Sequence, residues 1–291
     1  MDDYHKAGII AAQALQYGKG LIIKGSSLLE VTEKVEHHIL KAGGKLAFPV
    51  QISLNEVAAH YCAQEEEKTA FDNQLAKLDI GVHINGKIAD TAATVDLSGE
   101  HAELVEASSK ALEAAIAAVR PGVKVSEIGK AINAAMQELG FNPIHNLTGH
   151  GLTDYNVHAL PTIPNFDTGD PTRLEEGQVI AIEPFATKAA GFVHEVGTAE
   201  VFQLIVAKPV RSPISREILA EISTYHGLPF ARRWLARKFS QQKVNIAFND
   251  LLRSNILREY RPLAERTNAL VSQAEHTIIV KEKPEIITLL Q

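Results

Sequence analysis

The stretch "KLDIGVHINGKIADTAATVDL" (77–97) decides the reading of the fold. Asn85-Gly86 is a two-residue hairpin signal, because both central positions of a type I′ turn need positive φ. That turn pairs residue 84 with 87, 81 with 90 and 79 with 92. Side chains alternate faces, so Asp79 and Asp90 become diagonal neighbours on one face of two otherwise apolar strands. Carboxylates that close lose hydration and repel each other. A raised pKa on one of them or a cation between them relieves both problems. A solvated hairpin face with two harmless acids is the plain alternative, so the pair needs partners elsewhere in the chain.

Partners are present. His150 follows Gly149 in "NLTGHGL" (146–152), Glu183 ends an apolar run in "VIAIEPFA" (179–186), and Glu275 heads another in "SQAEHTIIV" (272–280). Acids written into buried strands are costly unless paired or coordinated. Four carboxylates and one imidazole form a mostly hard oxygen set with one nitrogen. That set suits two divalent ions such as Co²⁺, Mn²⁺, Fe²⁺ or Zn²⁺ better than one structural zinc, and four negative charges balance two dications.

The rest of the 291-residue chain sets the context. A net charge of −6 gives no global attraction to nucleic acid or to an anionic membrane. One cysteine, Cys62, excludes an intrachain disulfide and fits a reducing cytoplasm. The acidic start "MDDYHKAG" lacks the pattern of a signal peptide, and no apolar run reaches the roughly 18 residues of a membrane span.

Helices are expected over 2–18, 27–42, 102–119 and 126–139, the second opened by the capping box Ser27-Leu28-Leu29-Glu30. Further strands are expected at 177–186, 191–206 and 272–280. Setting Gly25 on Gly122 also matches Glu30 with Glu127, Val35 with Ile132 and Gly43 with Gly140, all at an offset of 97. This weak repeat suggests two similar α/β halves around one sheet. The expected organisation is a catalytic domain over 1–208, an arginine-rich helical insert over 209–266, and strands at 267–291 that complete the first part.

Five ordered segments carry a resemblance: "FPVQISLNEVAAHY" (48–61), "LDIGVHINGKIADTA" (78–92), "NLTGHGL", "AIEPFA" (181–186) and "AEHTIIV" (274–280). Together they resemble the type 2 methionine aminopeptidases, and "LPFARRW" (228–234) lies in a segment similar to their helical, winged-helix-like insert. The absence of an N-terminal extension resembles an archaeal form. The resemblance implies the α/β (α+β) pita-bread fold with pseudo-twofold halves. It implies metal ligation by Asp79, Asp90, His150, Glu183 and Glu275, with Asp90 and Glu275 bridging two ions. It also implies catalytic roles for His60, His158 and Glu275, and a methionine pocket lined by Phe48, Tyr260 and the two histidines.

The activity so implied is removal of the N-terminal methionine of nascent proteins and peptides when the second residue is small, by attack of a metal-bridging hydroxide on the peptide carbonyl. A cytoplasmic monomer in transient contact with the ribosome is the accompanying expectation. Two positions depart from the pattern: Ala274 stands where relatives usually carry phenylalanine, and Cys62-Ala63 replaces the common Thr-Pro. Both are expected to reshape the pocket wall.

A proline-bond peptidase of the same fold, or a non-enzymatic relative, would be the alternative. The first usually has a large preceding domain, and the second has lost ligands that this chain keeps. His37, His38 and His83 are read as surface residues, His145 and His194 as candidates for a supporting role near the ligands, and His276 as facing away from Glu275. The run Arg232, Arg233, Arg237, Lys238 and Lys243 reads as a solvated face, with docking near ribosomal RNA as the functional alternative. Trp234 and Leu235 read as core of the insert.

Overall fold

The computed structural model describes residues 1–290. The hairpin forms as the sequence dictates: strands Leu75–Ile84 and Lys87–Asp96 pair with Gly81 opposite Asp90 and Asp79 opposite Ala92. Asn85 and Gly86 take φ of 50° and 88° at the turn. The hairpin anchors an antiparallel sheet of eleven strands. Beyond Lys87–Asp96 come, in order, Val271–Ile279, Val179–Ile182, Thr148–Thr153 and Asn156–Pro164, the last at the edge.

Helices Asp3–Leu21 and Leu28–Lys41 pack on the hairpin in one apolar cluster, and Ala102–Ala118 and Val125–Glu138 pack with the central strands in a second. The Ser27 hydroxyl accepts the Glu30 N–H, as the capping pattern requires. The offset of 97 is a real symmetry of backbone geometry. Gly25 and Gly122 have φ of 86° and 79°, and their N–H groups donate to Phe71 O and Leu174 O, each at 2.7 Å. Three residues on, Leu28 and Val125 donate to Thr69 O and Thr172 O, both at 2.9 Å.

Two expected strands divide, and 177–186 breaks at Glu183-Pro184 into Val179–Ile182 and Phe185–Thr187. The segment 191–206 is broken by a loop in which Gly197 has φ 60°, leaving Val193–Glu195 and Val201–Leu204 in two separate three-stranded sheets. Val193–Glu195 pairs with Leu263–Glu265. Val201–Leu204 pairs with Phe230–Ala231 and Leu257–Tyr260. The latter sheet closes a subdomain of helices Pro213–Ser223, Arg232–Ala236 and Gln241–Arg253 around Phe202, Ile218, Phe230, Leu235 and Phe248. Trp234 packs on the edge of that core.

The basic run is corrected at Arg233. That residue is 2% exposed and paired with Glu36, while Arg237, Lys238 and Lys243 stay at the surface, paired with Glu33 and Glu65, with Glu221 and with Glu217. The sequence hides this because three of those acids lie in the first 65 residues. His83 is also corrected from surface to interior. It is 5% exposed, its Nδ1 lies 3.2 Å from the Gly86 N–H, and its ring packs edge-on to Tyr155.

Candidate metal centre

The inner face of the sheet, the insert and the segment after Val57–Ala59 enclose a cavity of about 220 Å³. Phe48, His60, Asp79, Asp90, His150, His158, Glu183, Tyr260 and Glu275 all line it. Register brings the acids together. Glu275 lies opposite Ala92, the residue that also faces Asp79, so the central strand presents Glu275 on the same face as the hairpin acids. Thr277 ties the two strands: its Oγ1 donates to Asp90 O and accepts the Asp90 N–H, both at 2.7 Å. Glu183 stands where the apolar strand Val179–Ile182 ends ahead of Pro184.

One ligand atom each from Asp90, His150 and Glu275 falls within 4.8 Å of the others. His150 Nε2 lies 3.8 Å from Asp90 Oδ2 and 3.6 Å from Glu183 Oε1. Among the described residues, Asp79 Oδ1, Asp90 Oδ1 and Glu275 Oε2 are buried without a hydrogen-bond partner. Orphaned carboxylate oxygens of this kind are rare in a folded interior.

The electrostatics follow. Burial raises the Asp79 carboxyl to about 7, opposed by a hydrogen bond from Gln273. Burial lifts Asp90, Glu183 and Glu275 well above the usual carboxylate range, and the neighbouring acids push each further. Burial and the neighbouring His158 hold His150 down to about 3, a neutral imidazole able to act as a ligand. One oxygen each from Asp90 and Glu275 converging with a neutral imidazole nitrogen, beside further acids with acceptors left over, are the donor set of a hard or borderline divalent ion.

Around this cluster stands an aromatic arc. The His158 ring lies 4.8 Å from His150 and 6.1 Å from Tyr260, and Tyr260 meets His60 edge-on at 5.6 Å between centroids. The Tyr260 hydroxyl donates to Gln203 Oε1 at 2.5 Å, which leaves the ring as its contribution to the wall. Phe48 lies against Gly81, where any Cβ would come within 2.1 Å of the phenyl ring, so the glycine is what admits Phe48 to the cavity. Burial, then the nearby His158, depresses His60 to about 4.

Gln51 and Gln273 escaped the sequence reading. The Gln51 Oε1 accepts the His60 N–H at 2.8 Å and holds that residue at φ 67°. Gln273 Nε2 lies 3.5 Å from Glu183 Oε2. A buried amide two residues from a buried acid, as in Gln273-Ala274-Glu275, was the available signal. His145 and His194 are outside the cavity: His145 is sandwiched between Phe166 and Phe192 and bonded to Gly191 O, and His194 is exposed. His276 faces the opposite side of the sheet, bonded to Thr288 Oγ1 at 2.9 Å. Ala274 shares that far side, lining a separate cleft with Leu15 and Leu112, so it does not touch the cavity wall as expected.

Residues 2–209 match the model of metallopeptidase family M24, and the chain belongs to that family. It is 48% identical to a methionine aminopeptidase of Archaeoglobus fulgidus over 97% of this chain and 96% of that protein. It is 44% identical to one of Pyrococcus abyssi over 99% of both. Among solved structures, methionine aminopeptidase from Thermotoga maritima superposes with a TM-score of 0.71 at 23% identity, covering 98% of this chain and 95% of that one. A thermophilic Arx1 gives 0.84 at 17%, covering 98% and 89%. Prolidase from Pyrococcus furiosus gives 0.63 at 20%, covering 99% and 63%. The fold is the pita-bread fold these structures share. Among the described residues, no helix is long and apolar enough to cross a membrane.

Proposed function

We propose that this chain is a dinuclear methionyl aminopeptidase of the type 2 kind, cleaving the N-terminal methionine from nascent proteins and peptides whose second residue is small. The observation that supports it most is the set of orphaned, proton-retaining carboxylates beside a neutral imidazole. Asp79, Asp90, His150, Glu183 and Glu275 would hold the ions. Divalent ions bound there would lower the pKa of water toward neutrality and polarise the scissile carbonyl.

The chain's own groups divide the remaining work. Glu275 takes the proton of the attacking water and returns it to the leaving amine. His158, at the rim, and His60 donate hydrogen bonds to the oxygen on which negative charge grows, and to the peptide. The apolar walls of Phe48 and Tyr260 select the methionine side chain. A cavity of about 220 Å³ falls below the roughly 300–1,000 Å³ of drug-sized sites and suits a single side chain and its scissile bond.

The same reading takes 1–208 and 267–291 as the catalytic domain and 209–266 as its insert, in a cytoplasmic monomer. Transient contact with the ribosome would use surfaces other than the internally paired basic run. The test is a peptide panel on metal-depleted protein with Mn²⁺, Fe²⁺, Co²⁺ or Zn²⁺ added back. Hydrolysis of Met-Gly-Met, restored by metal, is expected. Cleavage confined to Ala-Pro peptides, or none with any metal, overturns the reading.

A further inference from the structure

Arg233 is the largest fully buried side chain of the protein, and it is charged. It projects from the insert into the catalytic half and meets two separate segments there. One guanidinium nitrogen pairs with Glu36 on the helix Leu28–Lys41. A second donates to Cys62 Sγ at 2.8 Å and to Ala63 O at 3.2 Å, and Nε has no partner. Trp234, the next residue, donates from Nε1 to the second Glu36 oxygen at 3.2 Å. Cys62 also packs with Val201, Ala231 and Tyr260. The fork therefore joins the chain two residues after His60 to the insert that supplies Pro229 and Tyr260 to the cavity.

We propose that Arg233 is a positioning residue for substrate binding: its fork to Glu36, Cys62 and Ala63 fixes the distance between the His60 segment and the Tyr260–Pro229 wall. The inference rests on the reading of that wall as the methionine pocket. A planar fork with several fixed donors can satisfy three acceptors from three directions, which an ammonium cannot. Arg233 touches none of the residues assigned to the chemistry, so loss of the fork loosens the pocket and weakens ground-state and transition-state binding alike.

The experiment uses Arg233→Met alone and with Glu36→Leu. The single variant leaves a buried carboxylate uncompensated and is expected to fold poorly, whereas replacing both partners by apolar groups is tolerated. In the folded double variant, KM for Met-Gly-Met is expected to rise about tenfold with kcat held within about threefold. The sole cysteine supplies a readout that needs no turnover. Reaction of native Cys62 with Ellman's reagent is expected to speed up about tenfold as the segment opens more often. A wild-type KM in the folded double variant overturns the inference. If the parent protein cleaves no methionyl peptide, the functional reading fails instead, and unchanged thiol reactivity then overturns the clamp on its own.

Discussion

Of two buried charge clusters, one lines the cavity and the other braces the segment after His60, and they are finished in different ways. At Arg233 opposite charges have met: guanidinium and carboxylate pair, with an indole N–H, a thiol and a carbonyl around them, leaving the Arg233 Nε–H without a partner. At Asp79, Asp90, Glu183 and Glu275 like charges face one another with oxygens to spare. The first cluster is charge-matched as folded and serves to hold. The second is complete only with protons or cations, so its folded form is strained in a way that binding can relieve.

That contrast predicts opposite signs for similar substitutions. The largest effect belongs to Glu275→Gln, which should lower kcat by about 10²–10⁴-fold, as expected for a lost general base. The same change should raise the melting temperature of the metal-free protein, because one repelled carboxylate is gone. A melt that falls instead would equate the two clusters.

Breaking the matched cluster should do the reverse. Glu36→Ala strands a buried guanidinium and should cost about 3–5 kcal/mol in denaturant titration. Asp90→Asn, which also removes a buried acid, should stabilise the metal-free protein in that titration. A loss for both variants would abolish the distinction.

The pH dependence sharpens it further. In the metal-free protein the raised Asp79 carboxyl keeps a proton that the unfolded chain has already lost above its ordinary value of 3.8. Stability is therefore lost as pH rises toward about 7 at Asp79. His60 and His150, buried neutral at about 4 and about 3, give the opposite slope below 6.5 in the metal-free protein. The gain in melting temperature on adding Co²⁺ should thus be larger at about pH 8 than at about pH 5.5. A pH-independent gain would mean the acids are not what the metal displaces.

The smallest effect concerns Ala274→Phe. The residue faces the far cleft, so peptide preference should stay unchanged and only stability should move, by about 1–2 kcal/mol. A changed second-residue preference in a peptide panel would show that the two faces of the sheet communicate.

How far the sequence could be read follows from how locally each feature is written. The hairpin register needed only the Asn85-Gly86 turn and a period of two, and both are local. Asp79, Asp90 and Glu275 stood out because acids in apolar strands are expensive wherever the strands end up. Arg233 could not be read that way: the run it sits in is basic and mostly at the surface, and the acid that pairs with it is 197 residues distant. The Gln51 bond to His60 depends on how two short strands fold back on each other, which no periodicity reports. Ala274 was misplaced for a simpler reason, since alternation sets it opposite Glu275 and the strand pattern alone should have decided its face.

The central claim is that divalent ions complete the second cluster, and metal content measures it most directly. Protein purified without chelator or added cations, then exchanged into metal-free buffer, should retain about two equivalents of divalent metal per chain by elemental analysis, and the Asp90→Asn variant should retain fewer. Wild-type protein holding no more metal than that variant would contradict the account.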